Sequence, residues 1–153
     1  MNTAQRLKKS NLLFWQKTIS SFEKKQKTNN CGAYAATIIF SCFIGTYLDL
    51  LFVGNEMYAF PARPFSNVFT INIAFTLCIL PLFTALFLVI IKRLSALAKV
   101  VLTVFIGLGM SVSEQFAENT GWFTHSEAWH HSYSFFGYML FMFLIWKVYQ
   151  WFL

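Results

Sequence analysis

From Asn67 to Ile91 not one residue is charged. A helix needs about 20 apolar residues to cross a hydrocarbon core of about 30 Å, and it satisfies its own backbone N–H and C=O groups on the way. This stretch therefore predicts a transmembrane span over residues 67–91, kinked near its middle by Pro81. Three more stretches obey the same rule. Residues 33–53 are interrupted only by Asp49; residues 94–118 are apolar as far as Ser113, with Lys99 near the start; residues 129–151 carry Lys147 near the end. Lysines at such positions lift their ammonium groups to the interface. Ala33-Tyr34-Ala35 resembles a signal-cleavage box, but it precedes the apolar run and about 30 residues lie ahead of it, so the first span is expected to be retained.

Composition agrees with the patterning. Hydrophobic residues make up 57% of the 153, aromatics 20% and charged residues 12%, against about a quarter charged in soluble domains. A soluble domain of this length has too little interior to hide so much apolar surface. The expected class is all-α, a transmembrane four-helix up-down bundle, with residues 1–30 as a separate basic segment and residues 31–153 as the membrane domain.

Charge sets the expected orientation. Arg6, Lys8, Lys9, Lys17, Lys24, Lys25 and Lys27 face a single acid, Glu23, in the first thirty residues, and that segment holds the whole net charge of +6. The first loop has only Arg63, the second has Lys92 and Arg93 with Lys99 just beyond, and the third has no basic residue. This rich, poor, rich, poor alternation places the N-terminus, the second loop and the C-terminus in the cytoplasm and the chain in a plasma membrane. No nucleic-acid recognition motif accompanies the basic residues, so their expected partner is the anionic headgroups of the bilayer. Leu12, Trp15, Ile19 and Phe22 recur at helical spacing among the lysines, the pattern of an amphipathic helix lying in the headgroups; the alternative is a solvated basic tail. In the loop between the first two spans, Pro61 and Pro64 preclude a helix, while Tyr58, Phe60 and Phe65 favour the membrane surface. The three cysteines, Cys31, Cys42 and Cys78, form no disulfide framework and read as small apolar side chains.

Against that orientation, Asp49, Glu56, Glu114, Glu118 and Glu127 all lie towards the outer side, as do His125, His130, His131 and Asn72. Carboxylates inside a membrane are costly and normally face a bundle interior or water. Spacing supports a shared interior. Thr103, Gly107, Ser111, Glu114 and Glu118 form one stripe on the third span; Cys42, Thr46 and Asp49 form another on the first; Asn72 and Thr76 stand one turn apart on the second; and Glu127, His131, Ser134 and Tyr138 follow the same steps on the fourth. Asp49, Asn72, Glu114, Glu118 and His131 are the expected site, an acidic vestibule open to the outside and responsive to cations or protons. Plainer readings stand beside it. Asp49 and Glu114 can be interfacial, Glu118 can be a solvated helix-end residue ahead of a turn at Asn119 to Gly121, and Glu56 a loop charge. Glu127 is expected to close a capping box with Thr124, and His125 to have no role. Of the adjacent His130 and His131 only one can face a helix-bundle core, and the stripe selects His131.

Metal chemistry has a thin signal in the sequence. Carboxylates and imidazoles are ligands for zinc, iron or manganese, but Glu127-x-x-His130 occurs once, where di-iron bundles use the motif twice with two further glutamates. No phosphate-binding loop, nucleophile elbow or metalloprotease helix is present. Glycines at 45, 107, 109 and 137 permit close helix approach, which suits a small accessory subunit bound to a membrane-protein partner. Three functions remain open: a cation or proton site, a non-catalytic accessory or structural subunit, and a metal-dependent membrane enzyme.

Gly45-Thr46-Tyr47-Leu48-Asp49-Leu50, the loop Tyr58-Ala59-Phe60-Pro61-Ala62-Arg63-Pro64-Phe65 and Asn72-Ile73-Ala74-Phe75-Thr76 resemble a family of uncharacterised small multi-pass membrane proteins from spore-forming Gram-positive bacteria. The similarity runs from the first span onward and includes the glutamates ending the third. It implies a bacterial plasma membrane and no mechanism.

Overall fold

The computed structural model describes residues 30–153; the basic amphipathic segment expected before Asn30 lies outside them. Four helices and one short strand pair make up the described chain. Three of the helices, α1 (Asn30–Gly54), α3 (Ala96–Asn119) and α4 (His131–Phe152), are long and apolar enough to cross a membrane. Between α1 and α3 lies α2 (Leu80–Ile91), preceded by a single π turn, Phe75–Ile79. The strands β1 (Tyr58–Ala59) and β2 (Thr124–His125) pair antiparallel, Tyr58 opposite His125.

The second expected span, 67–91, is helical in a shorter stretch, Phe75–Ile91. Asn72 sets its start: the side-chain Oδ1 accepts from the Phe75 N–H at 3.3 Å, satisfying one of the amides that a helix leaves free at its beginning. The proline effect is also specific. Pro81 has no N–H and its ring crowds the preceding turn, and the chain takes up this misfit in the π turn just upstream, where the Leu80 N–H reaches back to Phe75 O. The fourth helix starts two residues later than expected, because His130 is extended (φ −119°, ψ 138°). The capping box expected at Thr124 and Glu127 does not form: Thr124 pairs in β2 and the helix begins at His131, with no side-chain cap.

Two caps bring the strands together. At the end of α1 the Glu56 N–H bonds Val53 O and the Met57 N–H bonds Phe52 O. At the end of α3 the Gly121 N–H bonds Glu118 O and the Trp122 N–H bonds Ala117 O. Both are Schellman closures, with a left-handed residue at φ 55° for Glu56 and 75° for Gly121. Each closure turns the chain directly into a strand, so the C-terminal ends of α1 and α3 meet through β1 and β2. A second hydrogen bond, Ser126 N–H to Met57 O at 2.9 Å, extends the pairing.

Packing divides into two clusters. Ala33, Phe87, Leu88, Ile91, Met142, Ile145 and Tyr149 join α1, α2 and α4 at the end away from the strands. Tyr58, Phe123 and Trp129 form an aromatic plug at the strand end, backed by Phe52 and Phe60. Small and polar residues add to these contacts between helices. Thr84 Oγ1 donates to Ser41 Oγ across α2 and α1 at 2.9 Å, and Gly107 lies against Phe135 and Met139 of α4. Of the four glycines expected at close approaches, Gly45 (against Leu80) and Gly107 serve so, while Gly109 and Gly137 have open space around them. Ile39, Phe43, Leu97, Phe105, Phe136 and Trp151 stand more than half exposed, the bare apolar faces that a lipid phase covers.

Candidate functional site

Helical periodicity on α3 produces a stripe that turns to α4. Ser111 Oγ donates to His131 O at 3.3 Å, and one turn on, the Glu114 carboxylate receives a short hydrogen bond from Ser134. Glu114 Oε2 also stands 3.5 Å from His131 Nδ1. Another turn along, Glu118 Oε2 is 3.5 Å from His131 Nε2, and Glu118 Oε1 is 3.2 Å from His125 Nε2. His131 therefore lies between the two glutamates. His125 and His131 meet edge to face, with ring centroids 5.0 Å apart. Thr103, at the far end of the stripe, only bonds back to Lys99 O within its own helix.

Asp49 belongs to a neighbouring arrangement. Its Oδ1 accepts from the Tyr58 hydroxyl at 2.7 Å, while its Oδ2 is buried without a partner among the described residues. Burial first, then the Asp49 carboxylate, and then Tyr138 and Glu114 push the Tyr58 phenol well above its ordinary value, so it remains a protonated donor. Asp49 and Glu114, from different helices, line one cavity of about 640 Å³. Its walls are otherwise apolar and aromatic, from Leu48, Phe52, Phe75, Trp129, Tyr133 and Phe141, with the hydroxyl-bearing Tyr58, Ser134 and Tyr138 among them. The Trp129 Nε1–H is buried and has no acceptor.

Of the five expected residues, the structure joins Glu114, Glu118 and His131 in direct contact and places Asp49 with Glu114 on the cavity wall. Asn72 is elsewhere, occupied as the helix-starting cap. On α1 the cavity side is Ile44, Gly45, Leu48, Asp49 and Phe52, so Asp49 faces inward without the expected company of Cys42 and Thr46. His125 had no expected role, yet it contacts both Glu118 and His131. Tyr58 was read only as an interfacial aromatic. Its approach to Asp49 follows the closure that folds the chain back after α1, and the two-residue strand it enters leaves no periodic signal.

A divalent cation has three ligand atoms available at the strand end: Glu118, His125 and His131 offer one each, all within 4.8 Å of one another. An organic cation has the larger cavity, with a carboxylate in two of its walls. Comparison with protein-family models, with curated proteins and with solved structures finds no match to this chain.

Proposed function

We propose that this chain is a multi-pass plasma-membrane protein whose outward-facing cavity binds an organic cation with an apolar body. The observation that carries the reading is that Asp49 and Glu114, from different helices, both line one largely apolar cavity, with Asp49 Oδ2 buried and without a partner among the described residues. A buried polar atom without a partner costs about 1–3 kcal/mol, a cost that the charge of a bound cation offsets. Aromatic faces add attraction for the same charge, and the volume lies in the range of small-molecule sites, about 300–1,000 Å³. The topology that goes with this reading has α2 crossing together with its π turn, as the fourth member of an up-down bundle. The lysine-rich tail rests on cytoplasmic anionic headgroups and the strand end faces out.

Calorimetric titration of the purified protein in detergent micelles tests this. Tetraphenylphosphonium is expected to bind saturably, and Asp49→Asn to weaken it at least tenfold. Spermine, which has charge without an apolar body, is expected to bind more weakly than tetraphenylphosphonium. Saturable binding that is equal in wild type and Asp49→Asn, or no binding, overturns the reading. Co-purification of one stoichiometric membrane partner seated over the cavity would favour the accessory-subunit alternative instead.

A further inference from the structure

We infer that Glu118, His125 and His131 form a second, separate site for a divalent transition metal of the zinc type. The three side chains come from the last turn of α3, from β2 and from the first residue of α4. None of them lines the cavity described above.

The hydrogen-bond roles argue for a cation between them. His125 Nδ1 stands 2.9 Å from Ser126 O. A carbonyl oxygen only accepts, so Nδ1 carries the hydrogen and a neutral ring presents its Nε2 lone pair. That atom stands 3.2 Å from Glu118 Oε1, acceptor against acceptor. Such an approach is favourable only with positive charge between the two atoms, a proton or a metal ion. His131 repeats the pattern, with Nδ1 towards Glu114 Oε2 and Nε2 towards Glu118 Oε2. Both imidazoles thus place Nε2 within 3.5 Å of one oxygen each of the same carboxylate, while Nδ1 is engaged by a backbone carbonyl in one ring and a carboxylate in the other. Metal-bound histidines are oriented by outer partners in this way. Glu114, itself held by Ser134, is the outer partner of His131.

Dimensions agree. Zinc ligands stand about 2.0–2.2 Å from the ion, so neighbours in a tetrahedron are ~3.4 Å apart. The two nitrogen–oxygen approaches are 3.2 and 3.5 Å, and the widest separation in the set, 4.8 Å at most, closes with a small rotation of a side chain. Side-chain exposures of 23% for His125, 27% for His131 and 34% for Glu118 leave the group reachable by an ion. Two nitrogens and one carboxylate favour a borderline metal over calcium or magnesium, and three protein ligands leave a fourth position open.

The test uses full-length protein in detergent, stripped with a chelator and titrated calorimetrically with zinc chloride. One zinc per chain is expected, with affinity reduced at least tenfold by His125→Gln and by Glu118→Gln. Glu114→Gln, which alters only the outer partner, is expected to reduce it by about 10–100-fold. Asp49→Asn is expected to leave zinc affinity unchanged while weakening tetraphenylphosphonium binding at least tenfold, so failure of the cavity reading and failure of this one are distinguishable. Cobalt added to the wild type supplies a readout that needs no variant: tetrahedral nitrogen–oxygen visible bands without a thiolate charge-transfer band. No saturable zinc binding, full affinity in His125→Gln, or a thiolate band pointing to Cys31, Cys42 or Cys78 overturns the inference.

Discussion

The Tyr58 hydroxyl, on β1, donates to Asp49 Oδ1, on α1, at 2.7 Å. The bond joins a strand residue to a carboxyl in the wall of the cavity, and among the described residues it is the carboxyl's only hydrogen bond, since Oδ2 has none. Tyr58→Phe keeps the ring that packs on Phe52, Phe123 and Trp129 and removes only the donor. Leaving Asp49 wholly unpartnered is predicted to cost about 1–3 kcal/mol, seen as a lower midpoint in thermal unfolding in detergent. Tyr58→Phe on an Asp49→Asn background should cost less; an equal cost in both backgrounds would show that the bond contributes nothing. The raised Tyr58 value also has a sign. The unfolded chain loses this proton from about pH 10 upward, whereas the folded one retains it, so the contribution is fully present below that pH and falls as pH rises beyond it. Alkaline destabilisation should be shallower in Tyr58→Phe.

Glu56 and Gly121 occupy equivalent left-handed positions in the two Schellman caps. A side chain there costs about 1–2 kcal/mol that glycine avoids. Glu56→Gly is therefore predicted to stabilise by about 0.5–1 kcal/mol, and Gly121→Ala to destabilise by about as much. Thermal melts of both variants settle it: if Glu56→Gly melts lower than wild type, the left-handed turn after α1 is not under the strain described.

How much of this was legible depended on distance along the chain. The apolar stretches and the α3 stripe are local, repeating at helical spacing, and Ser111, Glu114 and Glu118 do turn towards α4 as that spacing implies. Asp49 is one residue in one turn; its inward facing followed from the cost of burying a charge, but its partner did not. Tyr58 reaches Asp49, and His125 reaches Glu118, where the Schellman closures fold the chain back on the helix it has just left, and β1 pairs with β2 across the two closures. Nothing within either two-residue strand announces that pairing. Asn72 and Thr124 mislead for another reason. Asn72 spends its side chain on a local backbone bond in place of the longer-range role read from its spacing, whereas Thr124 gives up the local capping box for pairing with Ala59, far away in the chain.

Arg63 holds the proline-containing loop through backbone carbonyls, with no acidic partner among the described residues. Its Nε donates to Phe69 O, its Nη1 to Phe60 O and its Nη2 to Ser66 O, at 2.7, 2.6 and 3.3 Å. Three carbonyls converge on one planar fork, a geometry that lysine cannot reproduce. Arg63→Lys is predicted to loosen residues 60–69 while the helices stay intact. Limited proteolysis should cut the variant in this loop several-fold faster than wild type, with an unchanged helical circular-dichroism signal. Equal cleavage rates would assign the loop's order to Pro61 and Pro64 alone.

Gly107 and Gly109 lie on one helix and differ in what a methyl group would meet. A Cβ at Gly107 falls 3.0 Å from Phe135 O, 3.0 Å from Met139 Cγ and 3.1 Å from the Phe135 ring, whereas a Cβ at Gly109 meets nothing within 4 Å. Met139 can swing away, but Phe135 O belongs to the backbone of α4 and moves only if α4 does. Gly107→Ala is therefore predicted to push α3 and α4 apart at about 1–3 kcal/mol, and Gly109→Ala to be neutral or stabilising by about 0.5–1 kcal/mol through its helix propensity. The displacement has a consequence at the strand end, because Glu114 and Glu118 ride on α3 and Ser134 and His131 on α4. Paired thermal melts give the stability difference. A cysteine cross-linking rate between introduced Ser111→Cys and Ser134→Cys, slower in Gly107→Ala than in Gly109→Ala, reports the separation itself. If both alanine variants cross-link and melt alike, α3 and α4 do not make the close approach on which the contact between Glu114 and Ser134 depends.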